Sequence, residues 1–410
     1  NDEVTELGHA WGWRYPWAPV VSGGRAVRIA ILGTRGVPAR YGGFETAAEE
    51  IGRRLAEWGH EVVVYCRNPG QTQRVHDGMA LVNLPAFRVK ALETLSHTGI
   101  SVAHAIVRDR PDVVFLFNAA NAPFIPLLRL AGIPVAVHVD GLEWRRAKWG
   151  RHGSAYYRWA ERHSARWAQA IIADSHGIVD YLLTNHGIIA DYIPYGAPIV
   201  TPHPVRLLEL SVEQHGYHLV VARFEPENHV REIVEGYVSS SCRLPLLVVG
   251  DAAYGSAYRN EILRAANGDP RVRFLGGIWD RGLLDSLYAG AASYLHGHSV
   301  GGTNPSLLRA MGAAAPVIAY DVPFNQEVSR ANGRYFRRPD EVARECELAE
   351  SDMAATIGRG RAGRVDVIER YQWNQVADAY EKLAHSLVID SVFSSGRSDP
   401  QRTPPELAGP

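Results

Sequence analysis

The fold of this chain is decided by a stretch near its start, Arg28-Ile-Ala-Ile-Leu-Gly-Thr-Arg-Gly-Val-Pro-Ala-Arg-Tyr-Gly-Gly-Phe-Glu-Thr46. Its apolar run, 29–32, is typical of a buried parallel strand and breaks at Gly33. A glycine-rich loop follows, then a helical pattern over 45–57 and a second apolar run over 62–65. The pattern predicts a strand, a glycine loop, a helix and a second strand. Such a loop brings backbone N–H groups close to a phosphate, and the helix N-terminus adds its dipole.

The loop does not have the spacing of a dinucleotide-binding fingerprint. Gly33-Thr-Arg-Gly36 does not fit G-x-G-x-x-G. A nicotinamide cofactor is therefore disfavoured, and no cofactor is predicted.

Composition limits the remaining possibilities. The 410 residues favour two domains, and a hydrophobic content of 46% suffices for globular cores. A net charge of −1 provides no general field for nucleic acid, so no nucleic-acid partner is expected.

Cysteine usage and hydropathy indicate a cytoplasmic protein. Cys66, Cys242 and Cys346 lie far apart in the sequence without metal-type spacing. This spacing argues for a reducing compartment and against a disulfide framework or a zinc site. No apolar run reaches about 18 residues, so no membrane span is predicted. The start of the chain lacks the charged-then-apolar order of a signal peptide.

Apolar runs alternate with helical patterns twice along the chain. The predicted strands of the first half are 29–32, 62–65, 80–84, 113–117, 135–139 and 170–173, and those of the second half are 218–222, 246–249, 272–275, 293–295 and 317–320. This alternation predicts an α/β fold with two facing, doubly wound Rossmann-like domains and a ligand cleft between them. The turn-rich stretch 191–204 marks the boundary between the domains. The predicted division is an N-terminal extension (1–26), a first domain (27–198), a second domain (199–372), a helix packing back on the first domain (373–390) and a disordered tail (391–410).

The second domain contains its own candidate anion site. The stretch 296–309 leaves a predicted strand and enters a helix, for which Pro305 suits the first position and Thr303 or Asn304 the cap. An ordinary capped glycine loop is an equally good interpretation of this stretch alone.

Charged residues follow predicted strands in both domains. Arg223 is placed to clamp a diphosphate, although pairing with Glu225 or Glu227 on the surface is the alternative. His138 and Asp140 point to one face while their strand lasts, which favours a role in a cleft. The alternative is a core histidine beside a helix-capping aspartate.

The stretch 145–167 is basic and aromatic. Arg158, Arg162 and Arg166 are spaced by four and form one helical stripe. The stripe suits an anionic membrane surface or an anionic acceptor, and a solvated helix face is the alternative.

Together these segments resemble family 4 of the retaining GT-B glycosyltransferases, and more closely the bacterial rhamnosyltransferase-like branch used in capsule and exopolysaccharide assembly. The resemblance covers about 27–387. The motifs that carry it are the stretches 33–46, 140–149, 222–228 and 301–306.

The resemblance implies a nucleotide-diphosphate sugar held mainly by the second domain and a saccharide or lipid-linked acceptor held mainly by the first. It implies a catalytic role for His138, Asp140 and Arg223. It implies acceptor contacts from Glu143, Trp144, Arg145 and Lys148. It implies donor contacts from Gly42, Gly43, Arg223, Asn228, Gly276, Gly277, His298, Thr303, Asn304, Ser306 and Arg309. No metal is needed, because guanidinium groups and helix ends supply the positive charge.

The chain departs from the family pattern at a pair of glutamates. Gly301 and Arg309 occupy their positions, and the second glutamate normally binds the ribose hydroxyls. A deoxyribose donor such as dTDP-rhamnose loses less from this change. Asn228 and His229 stand where the family usually has a lysine.

The predicted function is therefore retaining sugar transfer in polysaccharide biosynthesis, by a cytoplasmic protein with peripheral contact to the inner face of the cell membrane. Two alternatives remain. One is a sugar-nucleotide 2-epimerase of the same fold, and the other is a non-catalytic sugar-nucleotide-binding scaffold.

Overall fold

A computed structural model describes residues 25–39, 42–67, 70, 72–87, 92–139, 141–146, 149–201, 203–252 and 256–395. It contains two sheets of mainly parallel strands, each with buried residues on both faces. This architecture confirms the predicted α/β fold of two Rossmann-like units. The predicted extension, most of the predicted tail, and the site candidates Asp140 and Lys148 lie outside the described residues.

The first sheet has eight strands in the order β3-β4-β2-β1-β5-β6-β7-β8, and only β3 runs antiparallel to its neighbour. Its central strand shows why the sheet is buried on both sides. Ile29 and Ile31 belong to one apolar cluster, whereas Ala30 and Leu32 belong to another. The strands are β1 (Arg28–Leu32), β2 (Glu61–Cys66), β3 (Val75–His76), β4 (Met79–Asn83), β5 (Val113–Phe117), β6 (Val135–Val139), β7 (Ala170–Ala173) and β8 (Asp191–Tyr192).

The second sheet has six parallel strands in the order β11-β10-β9-β12-β13-β14. The predicted strands of both sheets are present to within a residue or two. The short strands β3, β8 and β14 were not predicted, because two or three residues carry too little periodicity. The strands are β9 (His218–Val221), β10 (Leu246–Val249), β11 (Val272–Gly276), β12 (Ser293–His296), β13 (Val317–Tyr320) and β14 (Arg334–Phe336).

Helices connect the strands and cover both sheets. Among the described residues, none is long and apolar enough to cross a bilayer. The helices are α1 (Gly43–Glu57), α2 (Glu93–His104), α3 (Ile125–Leu130), α4 (Arg151–Trp167), α5 (His176–His186), α6 (Val230–Ser239), α7 (Ser256–Ala266), α8 (Arg281–Gly290), α9 (Pro305–Gly312), α10 (Pro323–Ser329), α11 (Pro339–Ser351), α12 (Met353–Arg370) and α13 (Trp373–Ser395).

The last helix, α13, follows the second domain in sequence but packs on the first. Glu381 lies 2.7 Å from His60 Nε2, and Arg54 Nε donates to Asn374 at 2.7 Å. Parallel strands of both sheets end at the same interface, which is where this fold class binds ligands.

Candidate active site between the two sheets

Two helix N-termini meet at the carboxyl ends of the sheets. Gly42 precedes α1 with φ 107°, a conformation that favours glycine. A Cβ added to Gly43 would lie 3.1 Å from Pro305 Cγ, so the first turn of α1 touches the first turn of α9. Because the first N–H groups of a helix lack intrahelical acceptors, the junction concentrates donors and positive dipole.

The loop 297–304 presses against the first sheet. A Cβ on Gly141 would lie 2.6 Å from Gly301 Cα, and one on Gly302 would overlap the carboxylate of Asp174. Thr303 Oγ donates to the backbone carbonyl of Asp174. Only residues without a side chain permit this approach of the two sheets.

The cap of α9 is Asn304, of the two predicted candidates. Asn304 Oδ1 accepts from Ser306 N at 2.9 Å and from Ser306 Oγ at 2.7 Å. Thr303 is 1% exposed and bridges to the first domain instead. Ser306 also accepts from Tyr294 Oη at 3.2 Å, so this helix end is rigidly held.

Arg223 follows β9 at the rim of the site. Its side chain is 34% exposed and lies 3.3 Å from Glu225. Asn228 is buried and donates to the carbonyl of Arg223 at 2.9 Å, so it shapes this turn rather than facing the site. His229, with φ 47°, donates a ring hydrogen bond from Nδ1 to the carbonyl of Gly297, 2.8 Å away.

Positive charge converges on His298 from both domains. Burial, and then the nearby His296, Arg223 and Arg146, lower the pKa of His298 well below its usual range. Its ring stacks on that of His296 at 4.4 Å. Arg146 comes from the loop after β6 and Arg223 from the loop after β9, so charged groups that follow strands of both sheets act on this half-buried imidazole.

His138 lies inside the first domain rather than on an open surface. It is 1% exposed, its Nδ1 lies 2.6 Å from Tyr380 Oη, and its ring packs against those of Phe117 and Tyr195. Burial lowers the pKa of His138 to about 3, so the imidazole is neutral at physiological pH. Its Nε2 has no hydrogen-bond partner among the described residues. A hydrogen bond to a substrate hydroxyl suits this neutral ring better than proton abstraction, and its catalytic role stays a prediction.

The predicted acceptor residues surround a narrow pocket beside β6. Glu143 and Trp144 line it together with Tyr157 and Tyr181. Glu143 pairs with Arg146, the same arginine whose charge lowers the pKa of His298. Arg145 is exposed and lies 5.1 Å from the Trp144 ring, so it borders the pocket from outside.

Gly276 and Gly277 lie at the carboxyl end of β11. Gly276 has φ 67°, and its carbonyl accepts from Gly250 N at 2.8 Å. Gly277 is exposed next to Trp279. Both glycines therefore lie at the carboxyl edge of the second sheet, and their contact with a nucleotide base stays a prediction.

Arg309 is held away from the phosphate position. Its Nε donates to Asp285 at 2.7 Å, and a terminal nitrogen donates to the carbonyl of Arg281 at 3.4 Å. The ion pair bridges α9 and α8 on one side of the second domain. A direct phosphate contact from Arg309 is not supported, because its guanidinium is already paired within the domain.

Sequence reasoning missed Asp174. This residue is fully buried, follows β7, and contacts both Gly302 and Thr303. The signal was available, because Asp174 follows an apolar run just as Asp140 does. Tyr195 and Tyr380, which pack on His138 from distant parts of the chain, carried no sequence signal.

This geometry defines a fold class, two facing Rossmann-like domains with an anion-binding cleft, which is that of GT-B glycosyltransferases. Residues 42–196 match the family model of the glycosyl transferase 4-like domain. Over 143 residues the chain is 24% identical to the O-antigen chain mannosyltransferase B of Escherichia coli. That match covers 34% of this chain and 36% of the mannosyltransferase.

Solved structures share the whole architecture. HepE of Anabaena in complex with UDP and glucose superposes with a TM-score of 0.72 at 17% identity, covering 88% of this chain and 100% of HepE. Sucrose-phosphate synthase of Thermosynechococcus elongatus gives a TM-score of 0.74 at 19% identity, covering 90% of this chain and 99% of that one. At such identities the likeness establishes the GT-B fold.

Proposed function

We propose that this chain is a retaining hexosyltransferase that moves a sugar from a nucleotide-diphosphate donor to a saccharide or lipid-linked acceptor in polysaccharide biosynthesis. The observation that carries the proposal is the meeting of the α1 and α9 N-termini at the carboxyl ends of the two sheets, the edge at which Arg223 follows β9. Helix ends and guanidinium groups both bind phosphate oxygens, and here they come from both domains. HepE, of the same fold, is known in complex with UDP and with UDP-glucose.

The proposed reaction follows from this distribution of charge. The bond between the anomeric carbon and the diphosphate breaks, and its electron pair leaves with the diphosphate. Helix N–H groups and Arg223 stabilise the added negative charge, which replaces the contribution of a metal ion. An acceptor oxygen then bonds to the anomeric carbon on the face that the diphosphate leaves. The acceptor proton passes to the departing phosphate.

The two domains contribute differently to substrate binding in this proposal. The second holds the nucleotide along Gly276 and Gly277, and the first holds the acceptor in the pocket beside Glu143 and Trp144. His138 has a neutral ring enclosed by the first domain, and its Nε2 is buried without a hydrogen-bond partner among the described residues. A contact between this nitrogen and a sugar hydroxyl therefore requires neighbouring side chains to move aside.

A deoxyribose nucleotide, with rhamnose as the sugar, is the proposed donor. Its support is Arg309, which stands where the resembling family has a ribose-binding glutamate. A guanidinium cannot accept a hydrogen bond from a ribose 2′-hydroxyl. The ion pair with Asp285 also removes that side chain from the nucleotide.

A basic, aromatic face on α4 suggests where a lipid-linked acceptor is met. Arg158, Arg162 and Arg166 are exposed, as the helical stripe predicted. Trp159 is 40% exposed and stacks on His163 at 4.3 Å beside this stripe. Cations flanking an exposed indole suit the headgroup region of an anionic bilayer. We propose that α4 holds the protein reversibly at such a surface.

Assays over a panel of nucleotide sugars test the proposed function. Purified protein is incubated with each donor, with and without lipid-linked or saccharide acceptors, and the products are separated by mass. Acceptor-dependent release of nucleoside diphosphate with retained anomeric configuration supports transfer. Interconversion of the free donor without an acceptor indicates an epimerase. Donor binding without turnover across the panel indicates a scaffold.

A further inference from the structure

A second cluster of reactive side chains lies at the opposite end of the second sheet. His218 is the first residue of β9, whereas Arg223 of the cleft follows the end of that strand. Cys242 lies in the loop between α6 and β10. Cys346 and Glu350 are one turn apart on α11 and therefore share a face. The fold therefore brings together residues from three separate parts of the sequence.

The geometry of the cluster is that of a ligand set. His218 Nε2 lies 3.2 Å from Glu350 Oε1, and these two atoms and Cys242 Sγ all lie within 4.8 Å of one another. Cys346 lies outside this group of three but shares a hydrogen bond with Cys242, so a shift of its side chain brings it in as the fourth ligand. Two ligand atoms about 2.0 Å from a tetrahedral ion are about 3.3 Å apart, close to the observed histidine–glutamate separation.

The surroundings hold each group in a metal-binding orientation. His218 Nδ1 lies 2.7 Å from Ser293 Oγ, which can accept the ring proton and thereby leave the Nε2 lone pair facing Glu350 and Cys242 when a metal binds. Glu350 accepts backbone N–H groups from Arg243 at 2.9 Å and Leu244 at 3.0 Å. Outer partners of this kind orient the ligands in protein metal centres.

A second cluster of histidine and glutamate side chains, formed where α13 packs on the first domain, is not oriented for metal binding. His60, Glu381 and His385 also lie close together. However, His60 Nδ1 accepts a hydrogen bond from Val27 N at 3.2 Å, which places the neutral ring's proton on Nε2. That proton faces Glu381 at 2.7 Å and blocks the lone pair that a metal would need.

We propose that His218, Cys242, Cys346 and Glu350 bind one Zn²⁺ ion. His218 and Cys346 are fully buried and Cys242 is 4% exposed, so the site is closed and structural rather than catalytic. Two thiolates and one carboxylate exceed the charge of the ion by one. The guanidinium of Arg271, which is paired with Asp269, also donates to the carbonyl of Cys242 at 2.7 Å and so lies beside this excess negative charge. The ion would join α11 to the base of the second sheet and displace the ligand protons on binding.

Metal analysis of the full-length protein tests this proposal. Protein purified without chelators is assayed for zinc by mass spectrometry and for absorbance after Co²⁺ exchange. We expect about one Zn²⁺ per chain and the charge-transfer bands of thiolate-bound Co²⁺. The variant Cys242→Ser should lose at least tenfold in zinc content. Cys66→Ser, which removes a buried thiol in the first domain, is the matched control and should keep it.

Two results overturn the proposal. One is wild-type protein that is folded, holds no zinc, and shows neither thiolate–Co²⁺ absorbance nor a thermal shift on adding Zn²⁺. The other is a disulfide between Cys242 and Cys346 in peptides mapped without reductant. If Cys242→Ser does not fold, the zinc content of the wild type and its loss in Glu350→Gln test the proposal instead. None of these measurements depends on glycosyl transfer, so the proposed function can fail without affecting the outcome.

Discussion

Replacing Arg223 by alanine tests the proposed diphosphate site directly. Arg223 lies at the rim of the cleft, 34% exposed, with Glu225 at 3.3 Å. Its charge contributes to lowering the pKa of the half-buried His298, a residue of the loop 297–304 whose last member, Asn304, caps α9. We expect Arg223→Ala to weaken donor binding with little effect on folding.

The magnitude follows from the contacts that are lost. A charged hydrogen-bond partner contributes about 1.5–3 kcal/mol, which corresponds to a rise in donor Kd of roughly 10- to 150-fold. The exposed pair with Glu225 contributes about 0–1 kcal/mol to folding, so the free energy of unfolding should change by no more than that. In this variant the donor affinity should therefore fall, while the free energy of unfolding stays nearly unchanged.

Calorimetric titration of the donor measures the first quantity, and urea denaturation measures the second. Arg231→Ala is the matched control, because Arg231 is also exposed and paired with carboxylates but lies on α6. Its donor affinity should equal that of the wild type. An unchanged donor affinity in Arg223→Ala would remove Arg223 from the site and refute the argument.

Four further predictions follow from the charges and the histidines. Transfer should persist in EDTA, since helix ends and guanidinium groups supply the positive charge; loss of activity that Mg²⁺ or Mn²⁺ restores would contradict this. Replacing Arg158, Arg162 and Arg166 by glutamine should lower cosedimentation with anionic vesicles at low salt, by about 1 kcal/mol per residue at the surface; equal sedimentation would reduce the stripe to a solvated face. In competition binding, dTDP should bind at least as tightly as UDP or GDP, and a tenfold advantage for either, about 1.4 kcal/mol, would rule out the deoxyribose assignment. Burial, and then the charge of Arg67, lower the pKa of His97 to about 4, below its unfolded value of about 6.5, so stability is fully present above pH 6.5 and is lost as the pH falls towards 4; His97→Gln should flatten this dependence in urea denaturation, and an unchanged dependence would contradict it.

The sequence predicted the sheets because buried parallel strands are almost continuously apolar. The runs at 113–117 and 135–139 became β5 and β6 with the predicted bounds. The edge strand β8 was not visible, because its two residues, Asp191 and Tyr192, lie within a stretch rich in turn residues. Helix α13 was predicted over 373–390 but extends from Trp373 to Ser395, so 391–395 are helical rather than part of a disordered tail. An amphipathic pattern predicts the existence of a helix better than its ends.

The site was predictable as a set of strand-end residues but not as a set of contacts. The helix start at Pro305 and its capping followed from local rules. Whether Arg309 bound a phosphate or turned aside depended on Asp285, a partner on another helix. Likewise, nothing near His138 in sequence indicated that Tyr380 would lie against it. Periodicity and capping rules describe residues that are close in the sequence, so they do not predict contacts between residues that only the fold brings together.

Two glycines of the cleft are required for different reasons, one local and one set by the opposite domain. Gly42 is needed for its own backbone conformation, which the sequence pattern could suggest. Gly302 is buried and needed because Asp174 of the other domain occupies the space of a side chain. A residue larger than glycine at 302 would push the loop 297–304 away from the first sheet and separate the two helix ends. The close approach of the two domains, and with it the anion site, therefore depends on Gly302, which must be glycine because Asp174 of the opposite domain fills the space of a side chain.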